Sequence, residues 1–136
     1  MTSIEDGMAT PRSPVSVSVR LRGHTLVQDK PHASGGQDAG PMASELLLAA
    51  LLACQHSTFV KVAAKRRAAA TLRGLHGALH FDDAGDIAKA TVRFDVEAGA
   101  SVPDDALATL VRLTDTACTV SKALKVPVEG TVQRVT

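Results

Sequence analysis

The sequence predicts an α+β fold, and a few observations carry that reading. Its 136 residues make one domain, long enough to bury about two thirds of the unfolded surface without a metal or disulfide staple. Stretches in which apolar and polar residues alternate are segregated from stretches of helical periodicity, in the order strands, helix, hairpin, helix, strand, with no internal repeat. The aromatics are Phe59, Phe81 and Phe94 alone, so the core is expected to be Ala, Val and Leu.

Residues 1–14 read as a flexible polar leader, and residues 15–136 as a single domain. The leader has no apolar centre of a secretory signal, so a cytoplasmic site is expected. Val15, Val17, Val19 and Leu21 then alternate with Ser16, Ser18, Arg20 and Arg22, the pattern of a strand with one buried face and both arginines on the other. Gly23 and His24 mark a turn, Thr25 to Val27 a short return strand, and Pro31 to Pro41 a loop. From Ser44, a good N-cap, the run SELLLAALLACQHSTFVKVAAKRRAAA holds no Gly or Pro and predicts a helix whose first half, apolar all round, is buried and central.

Leu75 to Asp82 and Val92 to Glu97 alternate on either side of the turn-forming DDAGD, which predicts a hairpin. Pro103, Asp104 and Asp105 open a second helix, with Leu107, Leu110, Val111, Thr114 and Cys118 on its core stripe. KVPVEGTVQRV closes the chain as a strand.

Composition excludes several functions. Fifteen Lys and Arg against fourteen Asp and Glu, without a single-sign block, argue against nucleic acid, and three aromatics build no base-stacking platform. The most apolar run, Leu46 to Cys54, has nine residues where a bilayer crossing takes ~20, so no membrane partner is expected. His76 and His80 lie roughly 13 Å apart along one strand face, too far to share an ion, and neither cysteine has a Cys or His at zinc spacing. Gly35 and Gly36 do not form the strand-to-helix turn that cradles a phosphate. Neither a metal nor another cofactor is expected.

Cys54 and Cys118 remain. A free Cys on an apolar helix is either a small buried filler or a thiol with a task. The second reading requires a thiolate, and Cys54 is too far into its helix for the N-terminal dipole to reach. A cation from elsewhere would have to supply the charge, and Arg20 and Arg22 are the candidates, against their plainer reading as solvated strand residues. His56 is turned about 200° around the helix from Cys54 and is no partner for it.

The run GGQDAGPMASELLLAALLACQ, Gly35 to Gln55, resembles the first-cysteine motif of the OsmC/Ohr family, a GP loop leading into a Leu- and Ala-rich helix with a Cys. ACTVSKAL, Ala117 to Leu124, is similar to its second-cysteine motif, and 64 positions separate the two thiols, a typical family spacing. The resemblance implies curved antiparallel sheets around two central helices in an intertwined homodimer. It also implies a thiol peroxidase for small organic hydroperoxides, reduced in turn by a dithiol. Cys54 would attack the peroxide and Cys118 would resolve the sulfenic acid to a disulfide, with Arg20 or Arg22 activating the thiolate and Glu45 orienting the Arg. Glu45 is equally readable as a first-turn helix carboxylate, since it stands nine residues before Cys54, half a turn out of phase. The rival is a non-catalytic protein of the same fold that binds an apolar ligand or senses oxidants; a purely structural dimeric module is a third reading.

Overall fold

The computed structural model describes residues 3–136; Met1 and Thr2, the start of the expected leader, lie outside the described residues. The elements run β1 (Met8–Ser13), β2 (Ser16–Leu21), β3 (His24–Gln28), a 3-10 turn (His32–Ser34), α1 (Ala43–Lys65), β4 (Ala70–Phe81), β5 (Ile87–Ala98), α2 (Asp104–Ala117), α3 (Thr119–Ala123) and β6 (Val128–Arg134). Packing divides the chain into two compact units, through Leu47 and from Leu48 onward.

The first unit holds an antiparallel sheet in the order β1-β2-β3. The leader is therefore not simply a flexible tail, because Met8–Ser13 pairs with β2, Met8 opposite Arg20 and Ala9 opposite Val19. All six β1 residues are exposed, so backbone hydrogen bonding alone defines the strand and no hydrophobic alternation announces it. Pro11 is tolerated because β1 is an edge, and the register slips between Pro11 and Ser13. Leu21 pairs with His24, which leaves Arg22 and Gly23 as a two-residue turn. Arg22 takes the positive φ, 57°, that such turns require, so it is a turn residue and does not share the strand face of Arg20.

The loop from Pro31 to Pro41 is organised by Asp29, a buried carboxylate that accepts from the backbone N–H of Lys30 at 2.8 Å and of Gln37 and Ala39 at 3.2 Å. Two glycines of the motif serve close backbone approach. A Cβ on Gly36 would stand 1.9 Å from the Lys30 carbonyl oxygen, and one on Gly40 2.0 Å from that of Val27.

In the second unit β4 and β5 form a long antiparallel hairpin, and β6 lies on the other side of β5. β6 runs parallel to β5, so this sheet is mixed where an antiparallel one was expected. The reason is the connection: α2 and α3 carry the chain back across the sheet, as parallel neighbours require. Central β5 buries Ala90, Val92, Phe94 and Val96 on one face. Against them pack Leu51, Phe59 and Ala63 of α1 and Leu107, Leu110 and Val111 of α2, with the Phe59 and Phe94 ring centroids 5.7 Å apart. Gly77 of β4 lets α1 come close, since a Cβ there would meet Leu48 and Leu52 at under 3 Å.

Helix α1 begins at Ala43, not Ser44, and ends at Lys65, short of the expected Ala70. Arg67 at φ 52° stops it: the N–H of Ala68 reaches the carbonyl of Ala63 and that of Arg67 the carbonyl of Ala64, the paired bonds of a left-handed helix stop. Only Leu51, Gln55, Phe59 and Ala63 of α1 are buried, and Val60 is 50% exposed, so one chain does not cover the helix on all sides. Its 23 residues, with a mean hydropathy of 1.5 over the most apolar window, reach the length and composition of a membrane span, which the nine-residue run considered alone did not. Core helices of folded proteins meet the same measure, and the Leu51 to Ala63 stripe packs on a sheet here.

Candidate active site

The site forms where α1 meets the junction of α2 and α3. Cys54 is half-buried on α1, one turn before Thr58, whose Oγ1 stands 3.9 Å from its sulfur. Cys118 does not end the second helix as expected but follows it: α2 stops at Ala117, and Cys118 takes an extended conformation (φ −72°, ψ 117°) before α3. That break turns the fully buried thiol toward α1 and places the Cys118 Sγ 2.9 Å from the Cys54 Sγ, with Cys118 donating. The N–H of Ser121 donates to the Cys118 sulfur at 3.4 Å.

The two thiols are pushed in opposite directions. Burial works to raise Cys54, but the Cys118 thiol, the backbone N–H groups of Val120 and Thr119 and the Thr58 hydroxyl all favour its thiolate, and its pKa falls below the ordinary 9.0. For Cys118 burial dominates, its bond to Cys54 adds to it, and its pKa rises above 9.0. Negative charge is thus favoured on Cys54 over Cys118, the donor of the pair. The groups that favour the Cys54 thiolate come from the Cys118 segment and from Thr58 of α1, whereas the sequence pointed to an arginine as the required source.

A polar network surrounds Cys118. Gln55 is 1% exposed and occupies the Leu51–Phe59 stripe, so its amide must find a partner inside the core. It donates through Nε2 to Asp115 Oδ1 at 3.5 Å, and the Ser121 hydroxyl donates to the same oxygen. Gln55 also favours the Cys118 thiolate, partly opposing burial. Sequence reasoning did not single out Gln55, Asp115 or Ser121. Gln55 alone carried a signal, a polar residue at i+4 from Leu51 and i−4 from Phe59 on an apolar helix.

Cys54 and Cys118 are thus brought together, while Arg20, Arg22 and Glu45 belong to the first unit, each with its own surroundings. Arg20 is exposed on β2 opposite Thr25, and Arg22 sits in the turn. Glu45 caps its own helix, its Oε1 accepting from the Met42 N–H at 2.9 Å, half of a capping box. His56 is exposed. The two strand histidines have other partners: His76 Nε2 lies 2.9 Å from Asp95 Oδ2, and His80 Nε2 lies 3.0 Å from the Thr91 hydroxyl. Among the described residues no group of three or more His, Cys, Asp or Glu side chains is placed to hold a metal ion.

The family model for OsmC-like proteins matches residues 35–133, from the first glycine of the GP loop to the last strand and across both cysteines. The chain belongs to the OsmC-like family. Solved structures agree in fold. An OsmC-like protein from Mycoplasma pneumoniae superposes with a TM-score of 0.81 at 14% identity, covering 100% of each chain. An OsmC-like protein of unknown function from Vibrio cholerae gives 0.76 at 19% identity, covering 98% of this chain and 100% of that one. An organic hydroperoxide resistance protein, OsmC, from Legionella pneumophila gives 0.69 at 15% identity, over 99% and 100% of the two chains. No curated protein matches the sequence significantly.

Proposed function

We propose that this OsmC-like protein is a thiol-dependent peroxidase acting on organic hydroperoxides. The observation that carries the reading is the pair of sulfurs 2.9 Å apart with opposite pKa shifts. The Cys54 thiolate attacks the terminal oxygen of the hydroperoxide; the O–O bond breaks, the alkoxide leaves and takes a proton from solvent, and Cys54 becomes a sulfenic acid. The Cys118 sulfur then attacks the Cys54 sulfur, the S–O bond breaks, and the thiol proton leaves with the hydroxide as water. A dithiol reductant exchanges with the resulting disulfide and returns both thiols. The opposite shifts suit this division, because the attacking sulfur must be ionised at rest and the resolving one need not be. The hydroperoxide resistance protein of Legionella pneumophila, alike in fold, supports the choice of substrate class.

Two further parts belong to this reading. A second copy of the chain covers the exposed side of α1 in a homodimer. Arg20 or Arg22, oriented by Glu45, adds a cation to the thiolate and to the departing alkoxide.

Turnover of cumene hydroperoxide with dithiothreitol tests the proposal. Cys54→Ser abolishes turnover, and Cys118→Ser allows one oxidation and then stalls at the sulfenic acid. Arg20→Ala or Arg22→Ala slows the reaction if that guanidinium acts on Cys54, and Lys restores only part of the rate because it lacks the planar fork. A second reading, an oxidant sensor or binder of apolar ligands without turnover, draws on the open groove of about 650 Å³ lined by Val62, Lys65, Arg66, Leu113, Thr116 and Ala117. A wild-type protein with no multiple turnover would decide for it.

A further inference from the structure

The peroxidase reading assigns Asp115 no task, yet its carboxylate touches both walls of the thiol pair. Gln55, next to Cys54 on α1, donates to Asp115 Oδ1 at 3.5 Å, and Ser121, the residue whose N–H bonds the Cys118 sulfur, donates its hydroxyl to the same oxygen. The Asp115 carbonyl oxygen also accepts the N–H of Cys118 at 3.3 Å. α3, which carries Ser121, has only five residues, too short to hold its own position. Gln55, buried on a stripe of Leu and Phe, has in turn a strong reason to keep its partner, since an unpaired buried amide is strongly destabilising.

We propose that Asp115 is a positioning residue for disulfide closure, pinning the Cys118 segment through Ser121 against the Gln55 turn of α1. The proposal rests on the peroxidase reading and adds the means by which its second step stays fast. Oxidation adds an oxygen to the Cys54 sulfur, and Cys118 must then approach that sulfur in line with the S–O bond before a second hydroperoxide does. A segment held by two bonds on one carboxylate presents the Cys118 thiol at high effective concentration; an untethered one samples geometries that cannot close. Loss of the tether therefore falls on closure more than on attack by Cys54, and over-oxidation of Cys54 to the sulfinic acid is its signature.

The test compares wild type, Asp115→Ala, Asp115→Asn and Ser121→Ala as full chains, mixed rapidly with cumene hydroperoxide and quenched with dimedone. Mass spectrometry then counts trapped sulfenic acid, disulfide and sulfinic acid. In Asp115→Ala the ratio of closure rate to Cys54 oxidation rate is expected to fall about tenfold, the weight of a hydrogen bond to a charged group, with sulfinic acid accumulating. Ser121→Ala shifts the ratio the same way, and Asp115→Asn, which keeps an acceptor oxygen, restores much of it. Should Asp115→Ala not fold, Ser121→Ala and Asp115→Asn decide alone. An unchanged ratio in folded Asp115→Ala and Ser121→Ala overturns the proposal, even if their melting temperatures drop. A wild type whose Cys54 stays reduced in hydroperoxide overturns the peroxidase reading instead, and closure driven by diamide in the same variants then decides the positioning role.

Discussion

A thiol can be poised by hydrogen bonds against the opposing effect of burial, and Cys54 is an instance. Its thiolate is favoured by the Cys118 thiol, the first N–H groups of α3 and the Thr58 hydroxyl, which together outweigh burial. The midpoint for its alkylation by iodoacetamide is therefore expected below 9.0, with Cys118 protected and titrating above it. Thr58→Val, which removes the hydroxyl at constant shape, moves the Cys54 midpoint upward; an unmoved midpoint would remove Thr58 from the account. The two thiols were legible in the sequence because each sits in a recognisable run of neighbours. Asp115 and Ser121 were not, since an ordinary Asp and Ser acquire meaning only once α1 and the α2–α3 junction are folded together, and Gln55 offered only its polar break in the apolar stripe.

Helix ends show what periodicity can and cannot reveal. The body of α1 was plain from its uninterrupted Ala and Leu, but its last turns were overestimated because no Gly or Pro announces the stop at Arg67. An Arg at φ 52° occupies a conformation that glycine adopts without a Cβ clash. Arg67→Gly is therefore expected to stabilise the protein by up to about 1 kcal/mol in urea unfolding; a loss of stability would mean the Arg side chain has a packing role. At the other end Glu45 closes the cap on Met42. Glu45→Ala should cost about 0.5–1 kcal/mol, whereas Glu45→Gln, which keeps an acceptor for that N–H, should be nearly neutral in stability. The pair separates two roles: if Glu45 also orients an arginine, Glu45→Gln slows peroxide turnover at unchanged stability. β1 was missed for a different reason, that an edge strand with every side chain exposed has no hydrophobic pattern to read.

For the molecule as a whole, acid and association are the two levers. Asp29 and Asp95 are both held below the usual 3.8, Asp29 first by the Lys30 N–H and Asp95 first by Arg93. Each therefore binds its proton later in the folded chain than in the unfolded one. Their contribution is complete above about pH 4 and is lost as pH falls through the folded values. Asp29→Asn and Asp95→Asn should each flatten the acid limb of the unfolding profile and leave its shape near neutrality unchanged; an acid limb as steep as wild type would contradict the assignment.

Association follows from what one chain leaves uncovered. Ala49, Ala53, Ser57, Val60 and Ala64 fall on the side of α1 away from its buried stripe, and all five are exposed in a helix otherwise apolar enough for a core. Small residues there allow another helix to approach closely, and the proposed homodimer supplies it. Sedimentation at micromolar concentration should show a dimer, and Val60→Glu, which buries a charge at that contact, should weaken it by at least about tenfold in Kd. The variant monomer would retain the Cys54–Cys118 pair, since both sulfurs and their donors come from one chain. A folded wild-type monomer at that concentration would refute the dimer while leaving the thiol chemistry to be judged on its own.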